Sequence, residues 1–522
     1  MKLSRYLLAL DAGTGAGRCF IVDAEGHRCF SAYREWQYVI PGDAPTRGLE
    51  FEAESLWQIL TQVIREVIAS NGVDPSQIAA VSTTSMREGF VLLDEAGREI
   101  FAAPNRDQRG WEEAQEIEKD YGWAIHRTSG HWPTAVFAPA RLLWLRRHRP
   151  EIYAQATHLL MLNDWAAYRL CHVLGSEPTN AAETALYDIV KLRWAEGLLE
   201  HLDIPLRLFS KVRPAGTVLG EINAQVAQQT HLKAGTPVVV GGADTQCGVL
   251  AANGIQAGAA VAIAGTTTPV QVVLGEPIID PEARTWSAPH VVPGHWVLES
   301  NCSVTGSVLR WFRGAFCQAE VAEAKRTGGN AYALMMDEAA RSPIGARGVF
   351  AMLGPTIMDA KRLHRGSTEV GGFIMTRARS LPTTQPESKA DCIRAILESF
   401  AYAIRANCEQ ITSITGRKIE KLGVCGGTAS SAFWLSMLSD VVGIPIQVPR
   451  ILEASALGAA ICAGVGSGDY QDLPSGVRAL VQIRQTIEPN LAAHRQYDDY
   501  YHQWLALRKH LINISTQLAN AG

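Results

Sequence analysis

Apolar and polar residues follow one another in the same order in both halves of the chain. In the first half, two apolar runs separated by a glycine-rich turn over 11–17 predict a β-hairpin. Apolar residues then recur at helical spacing between Ser55 and Gly72, which predicts an amphipathic helix with one buried face. A short apolar run over 78–81 predicts a strand that leads into the polar loop 85–89.

The ends of this first helix carry their own signals. Ser55 followed by Gln58 resembles a capping box, in which side chains satisfy the free backbone N–H groups of a first turn. The pair Asn71-Gly72 predicts the end of the helix, because glycine readily adopts the left-handed conformation that closes a last turn. We therefore expect the helix to begin at Ser55 and to stop at this glycine.

The second half repeats this order of elements. Residues 258–274 predict another hairpin, whose tip holds a glycine and three threonines. A long helix is expected over 391–414, with Gly416 as its break. A strand over 419–425 then leads into the glycine-rich loop 426–431. Hairpin, helix, strand and polar loop are therefore predicted twice.

This repeat sets the expected domain organisation. At 522 residues the chain is longer than a single hydrophobic core supports, so two or more domains are expected. The matching halves predict two related α/β domains with a cleft between them, over 1–250 and 251–522. Residues 344–372 are rich in glycine, methionine and basic side chains, and their pattern assigns them to no element.

Composition and charge exclude several classes of protein. Hydrophobic residues make up 47% of the chain and charged residues 19%, which is typical of a folded globular protein. A net charge of -4 gives no indication of a nucleic-acid partner. The ten cysteines include no C-x-x-C pair, so neither zinc nor a dithiol centre is predicted, and reduced core cysteines fit a cytoplasmic protein. No apolar run would span a membrane, and the run 6–10 is broken by Asp11, so no signal peptide is expected.

Asp244 is the strongest single candidate for catalysis. It follows an apolar run over 237–240 and the pair Gly241-Gly242, a pattern typical of a buried strand that delivers a carboxylate to a cleft. A carboxylate in such a place can accept the proton of an alcohol during phosphoryl transfer from a nucleotide. The alternative is that Asp244 caps the helix that follows it, which is a common role for aspartate. The residues alone leave both interpretations open.

Three glycine-containing turns are candidates for holding nucleotide phosphates. Glycine lets backbone N–H groups approach an anion closely, and threonine hydroxyls add further donors. The alternative for each is an ordinary tight turn, and neither the Rossmann pattern nor a Walker lysine accompanies them. Asp11, at the end of the first predicted strand, is a candidate for holding Mg²⁺ through water. The candidate residues for nucleotide and metal binding are Asp11, Gly13, Thr14, Gly265, Thr266, Thr267, Gly426 and Gly427.

Arg87 and Glu88 are candidates for binding a small polar substrate. A guanidinium donates hydrogen bonds in a planar fork and a carboxylate accepts them, so an adjacent pair can hold several hydroxyl groups. The alternative is a solvated surface pair, the commoner fate of neighbouring charges. The segment 105–109 offers similar groups with the same alternative. His126 and His131 lack metal-ligand spacing, so structural or exposed positions are predicted for them.

The order of these motifs resembles that of the FGGY carbohydrate kinases. The shared motifs are Asp-Ala-Gly-Thr at 11–14, Met-Arg-Glu-Gly at 86–89, Gly-Gly-Ala-Asp-Thr-Gln at 241–246, Gly-Thr at 265–266 and Gly-Gly-Thr at 426–428. The resemblance covers nearly the whole chain. It implies the fold of that family, in which two actin-like, ribonuclease-H-like domains flank a central cleft.

The resemblance also implies a role for each candidate residue. Asp244 would be the general base that takes the proton from a sugar hydroxyl, with Arg87 and Glu88 at the substrate. Asp11 would serve Mg²⁺. The residues implied to hold ATP are Gly13, Thr14, Gly265, Thr266 and Thr267 at its phosphates, and Gly426 and Gly427 at its adenosine end.

Within the family, residues 86–89 resemble the autoinducer-2 kinases, as do 163–168 and 310–317. This implies phosphorylation of a short branched dihydroxydione, with xylulose, glycerol or another short polyol as the alternative acceptor. The chain departs from the family at 354–361, where a Gly-Glu-Arg-x-Pro element is expected, and at Thr245, where glutamine is common. The expected partners are the sugar-like substrate and ATP, without nucleic acid or membrane, and a homodimer is left open. An actin-like ATPase and a sugar-responsive regulator are the alternatives from other classes.

Overall fold

The computed structural model describes residues 5–363, 370–376 and 388–521. Within these ranges the chain forms twenty β-strands and seventeen α-helices, joined in places by short 3-10 turns. The strands are β1 (Tyr6–Ala12), β2 (Ala16–Asp23), β3 (Cys29–Glu35), β4 (Ile78–Ser85), β5 (Phe90–Leu93), β6 (Glu99–Ala103), β7 (His158–Met161), β8 (Tyr187–Asp188), β9 (Arg193–Trp194), β10 (Val218–Glu221), β11 (Pro237–Ala243), β12 (Ala260–Ile263), β13 (Thr267–Leu274), β14 (Trp286–Pro289), β15 (Trp296–Val304), β16 (Val349–Met352), β17 (Gly372–Met375), β18 (Leu422–Cys425), β19 (Ile446–Pro449) and β20 (Ile483–Ile487). The helices are α1 (Ala53–Asn71), α2 (Trp111–Ser129), α3 (Ala138–His148), α4 (Pro150–Gln155), α5 (Leu162–Cys171), α6 (Pro178–Ala182), α7 (Glu196–His201), α8 (Ala224–Thr230), α9 (Asp244–Ala251), α10 (Gly306–Phe316), α11 (Gln318–Thr327), α12 (Ala331–Ala339), α13 (Lys389–Thr415), α14 (Ala432–Val442), α15 (Ala454–Gly466), α16 (Leu473–Leu480) and α17 (Leu491–Ala521).

Two large sheets organise the described part of the chain. The first has the strand order β10-β11-β4-β1-β2-β3, and the second has the order β14-β15-β13-β12-β18-β19-β20. Each sheet has parallel central strands, β11-β4-β1 in the first and β12-β18-β19 in the second, beside an antiparallel hairpin. The order of elements predicted twice from the sequence is therefore confirmed as two sheets of the same design.

Helices α9 and α15 fill the space between the two sheets. Apolar side chains from both sheets and from α15 share one buried core, which includes Leu7, Val261 and Ile461. Gly458 of α15 lies so close to α9 that a Cβ atom there would be 2.1 Å from the carbonyl oxygen of Cys247. Because only glycine permits this approach, the contact fixes α9, which begins at Asp244, against the neighbouring helix.

Both predicted hairpins are confirmed, as β1–β2 and β12–β13. The predicted start of α1 is wrong, because the helix begins at Ala53 and its first turn has no side-chain cap. Ser55 already lies inside the helix, where its hydroxyl donates to Oε2 of Glu52 at 3.0 Å. The predicted end is confirmed, since Gly72 is left-handed with a φ of 61°. The strand predicted over 78–81 extends to Ser85.

The long helix of the second half is confirmed as α13, which ends before the left-handed Gly416. A capping box formed by Ser388 and Asp391 fixes its start. The segment 344–372 contains β16, which pairs antiparallel with β17, while its residues 364–369 lie outside the described ranges. None of the described helices is both long and apolar enough to cross a membrane. All ten cysteines are free thiols in the structure, and all but Cys29 and Cys392 are buried, in line with the expected core positions.

Candidate active site

The first sheet gathers three candidate motifs at one edge. Asp11 of β1 lies opposite Thr84 of β4, and Gly242 of β11 lies opposite the same residue from the other side. These three strands run parallel, so the residues that follow them meet at their common carboxyl end, the edge where α/β sheets bind ligands. Asp11, the loop after β4 and Asp244 are therefore brought together, although they are distant in sequence.

The strand before Asp244 depends on glycine. A Cβ atom on Gly241 would lie 1.8 Å from the carbonyl oxygen of Thr83, so no other residue fits beside β4. Helix α9 begins at Asp244 itself, and its capping position is held by Ala243 without a side-chain hydrogen bond. Oδ1 of Asp244 accepts one hydrogen bond of 2.7 Å, from the backbone N–H of Thr245. Asp244 is therefore the first residue of α9 rather than its N-cap, and no side chain caps this helix.

The electrostatic surroundings of Asp244 suit a general base. Burial raises the pKa of its carboxyl group to about 7, with Arg87 opposing the shift and Asp11 adding to it. A base works best when its pKa lies near the working pH, because it is then both available and basic enough to take a proton. The carboxylate predicted from the sequence therefore sits where its basicity is increased.

Asp11 lies half-buried at the end of β1. Its Oδ1 atom is buried and has no hydrogen-bond partner among the described residues, and burial raises the pKa of the carboxyl group to about 6 against the opposing charge of Arg18. The described residues contain no cluster of three or more metal-ligating side chains. One unpartnered carboxylate is nevertheless what Mg²⁺ uses when most of its ligands are water and phosphate oxygens. The site therefore fits the expected ion.

The turn after Asp11 is a tight hairpin tip. The N–H of Gly13 donates to the carbonyl of Ala16 at 3.0 Å, so this donor is used within the turn. The hydroxyl of Thr14 accepts a hydrogen bond of 3.3 Å from Nδ2 of Asn105, and the hydroxyl of Tyr38 donates to the Thr14 carbonyl. The threonine hydroxyl remains able to donate its own proton to a ligand.

The second sheet brings the other two turns together. Ile263 of β12 lies opposite Cys425 of β18 in a parallel pair, so the turns at Gly265 and Gly426 follow neighbouring strands. The carbonyl of Thr266, in the turn at Gly265, accepts hydrogen bonds from the backbone N–H groups of Thr305 and Ser307, at the start of α10. The side chains of Thr266 and Thr267 are exposed at this edge.

The two glycines after β18 serve different purposes. Gly426 has a φ of 94°, and a Cβ atom on it would lie 2.6 Å from the carbonyl oxygen of Ala264. A Cβ atom on Gly427 would meet nothing within 4 Å, so the space beside it is open to a ligand. A short 3-10 turn over Gly427–Ser430 comes first, and α14 starts only at Ala432, where Ser431 caps it.

Arg87 lies in a buried cluster rather than at the surface. It is 9% exposed and Glu88 is 6% exposed, so the alternative of a solvated pair is wrong. The guanidinium donates to both oxygens of Glu299, at 2.7 Å and 3.0 Å, and approaches Glu183 at 3.5 Å. It also lies 5.5 Å from the centre of the Trp286 ring. The fork of Arg87 is therefore engaged by a residue of the second sheet.

Glu88 has an unusual backbone conformation. Its φ is 58°, in the left-handed region that few residues other than glycine adopt. The buried guanidinium of Arg141 donates to the carbonyl of Glu88 and, at 3.0 Å, to that of Pro104. Burial raises the pKa of the Glu88 carboxyl group well above its usual range, and the charge of Arg87 opposes this shift. The loop after β4 is thus held in one shape by buried groups.

Several residues of this cluster were missed by sequence reasoning. Glu299 interrupts the apolar run of β15, and Glu183 stands alone among small residues. A single acidic residue within a segment that otherwise looks buried is the sequence signal that could have identified both. His131, assigned a structural or exposed position, is fully buried and lies 3.5 Å from Glu183. Among the described residues, the buried side-chain atoms of this cluster without a hydrogen-bond partner include Nε2 of Gln246, Oε1 of Gln271 and Nε1 of Trp286. Nε2 of His131 and Oε2 of Glu183 are buried as well and face each other at 3.5 Å.

The segment 105–109 has mainly a structural role. Arg109 donates to Asp107 at 2.9 Å and to Glu50 at 2.8 Å, and both members of the first pair are buried. Asn105 alone reaches the candidate site, through its contact with Thr14. Apart from Asn105, the polar groups of this segment therefore tie it to residues 49–50.

Comparison with protein-family models gives two matches. Residues 6–251 match the N-terminal domain of the FGGY family of carbohydrate kinases, and residues 260–467 match the C-terminal domain of the same family. Together these matches include every candidate residue at the two sheet edges.

Individual proteins resemble the chain over nearly its full length. The autoinducer-2 kinase of Yersinia enterocolitica is 38% identical over 508 residues, which is 96% of this chain and 94% of that protein. The crystal structure of gluconate kinase from Lactobacillus acidophilus is similar in fold, with a TM-score of 0.84, 19% identity and coverage of 99% of this chain and 100% of that one. A ligand-bound xylulose kinase from the same organism also has a TM-score of 0.84, with 19% identity and coverage of 98% and 100%.

Proposed function

Because the chain belongs to the FGGY family of carbohydrate kinases, we propose that it transfers the γ-phosphoryl group of ATP to a hydroxyl of autoinducer-2, a dihydroxypentanedione. The observation that carries the proposal is the position of Asp244. This carboxylate, with a pKa raised to about 7, begins α9 at the edge where Asp11 and the Arg87 loop also lie. The choice of acceptor follows the likeness to the autoinducer-2 kinase.

The two halves of the chain take different parts in the proposed reaction. Residues 1–250 supply Asp244 and the substrate loop with Arg87 and Glu88. Residues 251–522 supply most of the nucleotide site. The residues proposed to hold ATP are Gly13, Thr14, Gly265, Thr266, Thr267, Gly426 and Gly427. The open space beside Gly427 supports the place given to that residue.

Asp244 acts first on the acceptor. Its carboxylate accepts a hydrogen bond from the hydroxyl group, orients it and takes its proton as the oxygen attacks the γ-phosphorus in line. The bond from the γ-phosphorus to the bridging oxygen breaks, and ADP leaves. Burial, with a smaller contribution from the negative charge of Asp11, keeps the pKa of Asp244 raised. When bound, Mg²⁺ would neutralise charge on the phosphates, and Asp11 is the residue that would hold it through water. Closure of the cleft excludes water, so that ATP is not hydrolysed.

We propose that the enzyme acts in the cytoplasm, where ATP is available. The formation of a homodimer remains a prediction. The function is tested with purified protein, ATP and Mg²⁺ in a coupled assay of ADP formation. The acceptors are dihydroxypentanedione, xylulose and glycerol, and the products are identified by mass spectrometry. We expect the dihydroxydione to have the highest kcat/KM, by about tenfold or more.

Other results would exclude the proposal in different ways. ATP consumption that no acceptor accelerates would favour an actin-like ATPase. A higher kcat/KM for xylulose or glycerol would keep the kinase but reject autoinducer-2 as its substrate. Phosphate found on no acceptor, while ATP is still consumed, would reject the kinase reaction altogether.

A further inference from the structure

An ion pair crosses the substrate side of the cleft. Arg87 follows β4 of the first sheet, whereas Glu299 belongs to β15 of the second. The two side chains form a bidentate pair, with Nη1 donating to Oε2 at 2.7 Å and Nη2 donating to Oε1 at 3.0 Å. Both residues are buried, so solvent does not screen the interaction. The fork that would otherwise bind an anionic group of a substrate is therefore occupied.

Further donors hold Glu299 in place. Nε2 of Gln271 donates to Oε2 of Glu299 at 2.5 Å, and Nδ2 of Asn301, on the same strand as Glu299, donates to Oε1 at 3.0 Å. Each carboxylate oxygen thus receives two hydrogen bonds, which hold the side chain in its present position. A carboxylate held in this way does not yield the arginine fork to a competing anion.

The remaining groups around Arg87 favour uncharged ligands. Glu183 approaches the same guanidinium at 3.5 Å and adds a second carboxylate. The guanidinium of Arg141 already donates to two backbone carbonyls, those of Glu88 and Pro104. The unpartnered atoms of Trp286 and Gln271 are a neutral donor and a neutral acceptor, which suit hydroxyl and carbonyl groups. An anion entering beside Arg87 would meet these carboxylates, while Arg87 and Arg141 already donate to groups of the protein.

We infer that Glu299 determines the charge specificity of the substrate site. By occupying the fork of Arg87, it makes the site accept uncharged polyhydroxy and carbonyl compounds and reject acceptors that carry a carboxylate. The inference rests on the proposed function only in placing the acceptor beside Arg87 and Glu88. It adds a residue from the second sheet that selects between neutral sugars and sugar acids of the same length.

The test compares neutral compounds with their acids in the Glu299→Gln variant. The pairs are glycerol with glycerate and xylitol with xylonate, measured by calorimetric binding and by ADP formation. Wild-type protein should favour the neutral member by about tenfold or more, because a buried like charge opposes the acid. In Glu299→Gln the freed fork can bind a carboxylate in a bidentate manner, so the preference should fall by about tenfold and acid binding should appear.

Three further variants separate specificity from structure. Glu50→Gln removes a carboxylate that also pairs with arginines, at 2.8 Å from Arg109 and 2.9 Å from Arg149. Glu50 lies outside the site. This variant should therefore prefer the neutral compounds over the acids as strongly as the wild type does. The double variant Arg87→Gln/Glu299→Gln should lose the gained acid binding, because the fork is absent. If Glu299→Gln does not fold, Glu183→Gln should give a smaller gain of the same kind.

The binding comparison tests charge specificity whatever the true acceptor is. Failure to phosphorylate dihydroxypentanedione would reject the proposed function and leave the charge comparison intact. Equal binding of acid and neutral members by wild-type protein would overturn the inference. A folded Glu299→Gln protein that gains no binding of either acid would overturn it as well.

Discussion

The hydroxyl group of Thr179 accepts a hydrogen bond of 2.9 Å from the backbone N–H of Ala243. The same hydroxyl donates to Oε2 of Glu177 at 2.5 Å, and Thr179 is fully buried. Ala243 is the last residue of β11 and directly precedes Asp244. The bond therefore fixes the direction in which the chain leaves the strand, and with it the position of the proposed base.

Replacing Thr179 with valine should lower turnover. The substitution keeps the shape of the side chain but leaves the N–H of Ala243 buried without an acceptor, at a cost of about 1–3 kcal/mol in the free energy of unfolding. Since Asp244 then loses its alignment, we expect kcat to fall by about tenfold to a hundredfold with little change in KM. Steady-state kinetics and denaturant unfolding measure the two effects.

Thr230→Val is the matched control for this change. Thr230 is also fully buried, and its hydroxyl accepts the N–H of Leu232 at 3.2 Å, at the end of α8 and away from the site. The Thr230→Val variant should lose as much stability as Thr179→Val does, and its kcat should stay at the wild-type value. A similar kcat in both valine variants would show that Thr179 acts only on stability.

Asp244→Asn should remove most turnover while the protein stays folded. The amide cannot accept the proton of the acceptor hydroxyl, and general-base catalysis contributes about 10²–10⁴ in rate. Nucleotide binding should remain nearly unchanged, because the glycine turns of the second sheet are untouched. Single-turnover kinetics and calorimetric ATP binding test this, and near-normal phosphorylation by the folded variant would contradict the assigned role.

The pH dependence of the wild type follows from the same carboxyl group. Asp244 must be ionised to act as a base, and its pKa is raised to about 7. We therefore expect kcat/KM to fall about tenfold for each pH unit below that value and to level off above it. A profile measured from about pH 5.5 to pH 9 would contradict this if activity stayed constant down to the lowest pH.

Stability should change with pH in the opposite direction. The folded pKa lies above the ordinary value of 3.8, so the folded protein holds this proton more tightly than the unfolded chain does. Ionisation of Asp244 therefore lowers stability as the pH rises from about 4 to about 7, and the loss is complete above that. Asp244→Asn should raise Tm relative to wild type more at pH 8 than at pH 5, whereas the exposed control Asp120→Asn should not.

The sequence was sufficient for the sheets and the turns but not for the substrate cluster. The hairpins and Gly72 follow from local patterns of apolar residues and glycine, which act through the backbone near them, whereas the strand predicted over 78–81 continues to Ser85. Arg87 and Glu299 are far apart in the chain and belong to different sheets, so no local sequence pattern predicts that they pair. The start of α1 was misplaced because Ser55 bonds a side chain of the same turn instead of the backbone.

Gly427→Ala should report on the nucleotide directly. A Cβ atom at this position meets nothing within 4 Å, so the fold and Tm should be unchanged. If adenosine lies in that space, the added methyl group should raise KM for ATP by about tenfold without affecting KM for the acceptor. Gly314→Ala, which also has open space, is the control and should leave both constants unchanged. An unaltered KM for ATP in Gly427→Ala would place the nucleotide elsewhere.

Arg141→Lys should weaken acceptor binding through the loop at Glu88. The buried guanidinium holds the carbonyls of Glu88 and Pro104, and it supports a left-handed residue with a φ of 58°. Lysine keeps the charge but offers no planar fork, so the loop should relax and KM for the acceptor should rise about tenfold, with KM for ATP unchanged. Arg109→Lys, another buried arginine whose carboxylate partner is Asp107, should lower Tm without this change in KM. Equal effects of both lysine variants on acceptor KM would mean that Arg141 contributes only to the stability of the fold.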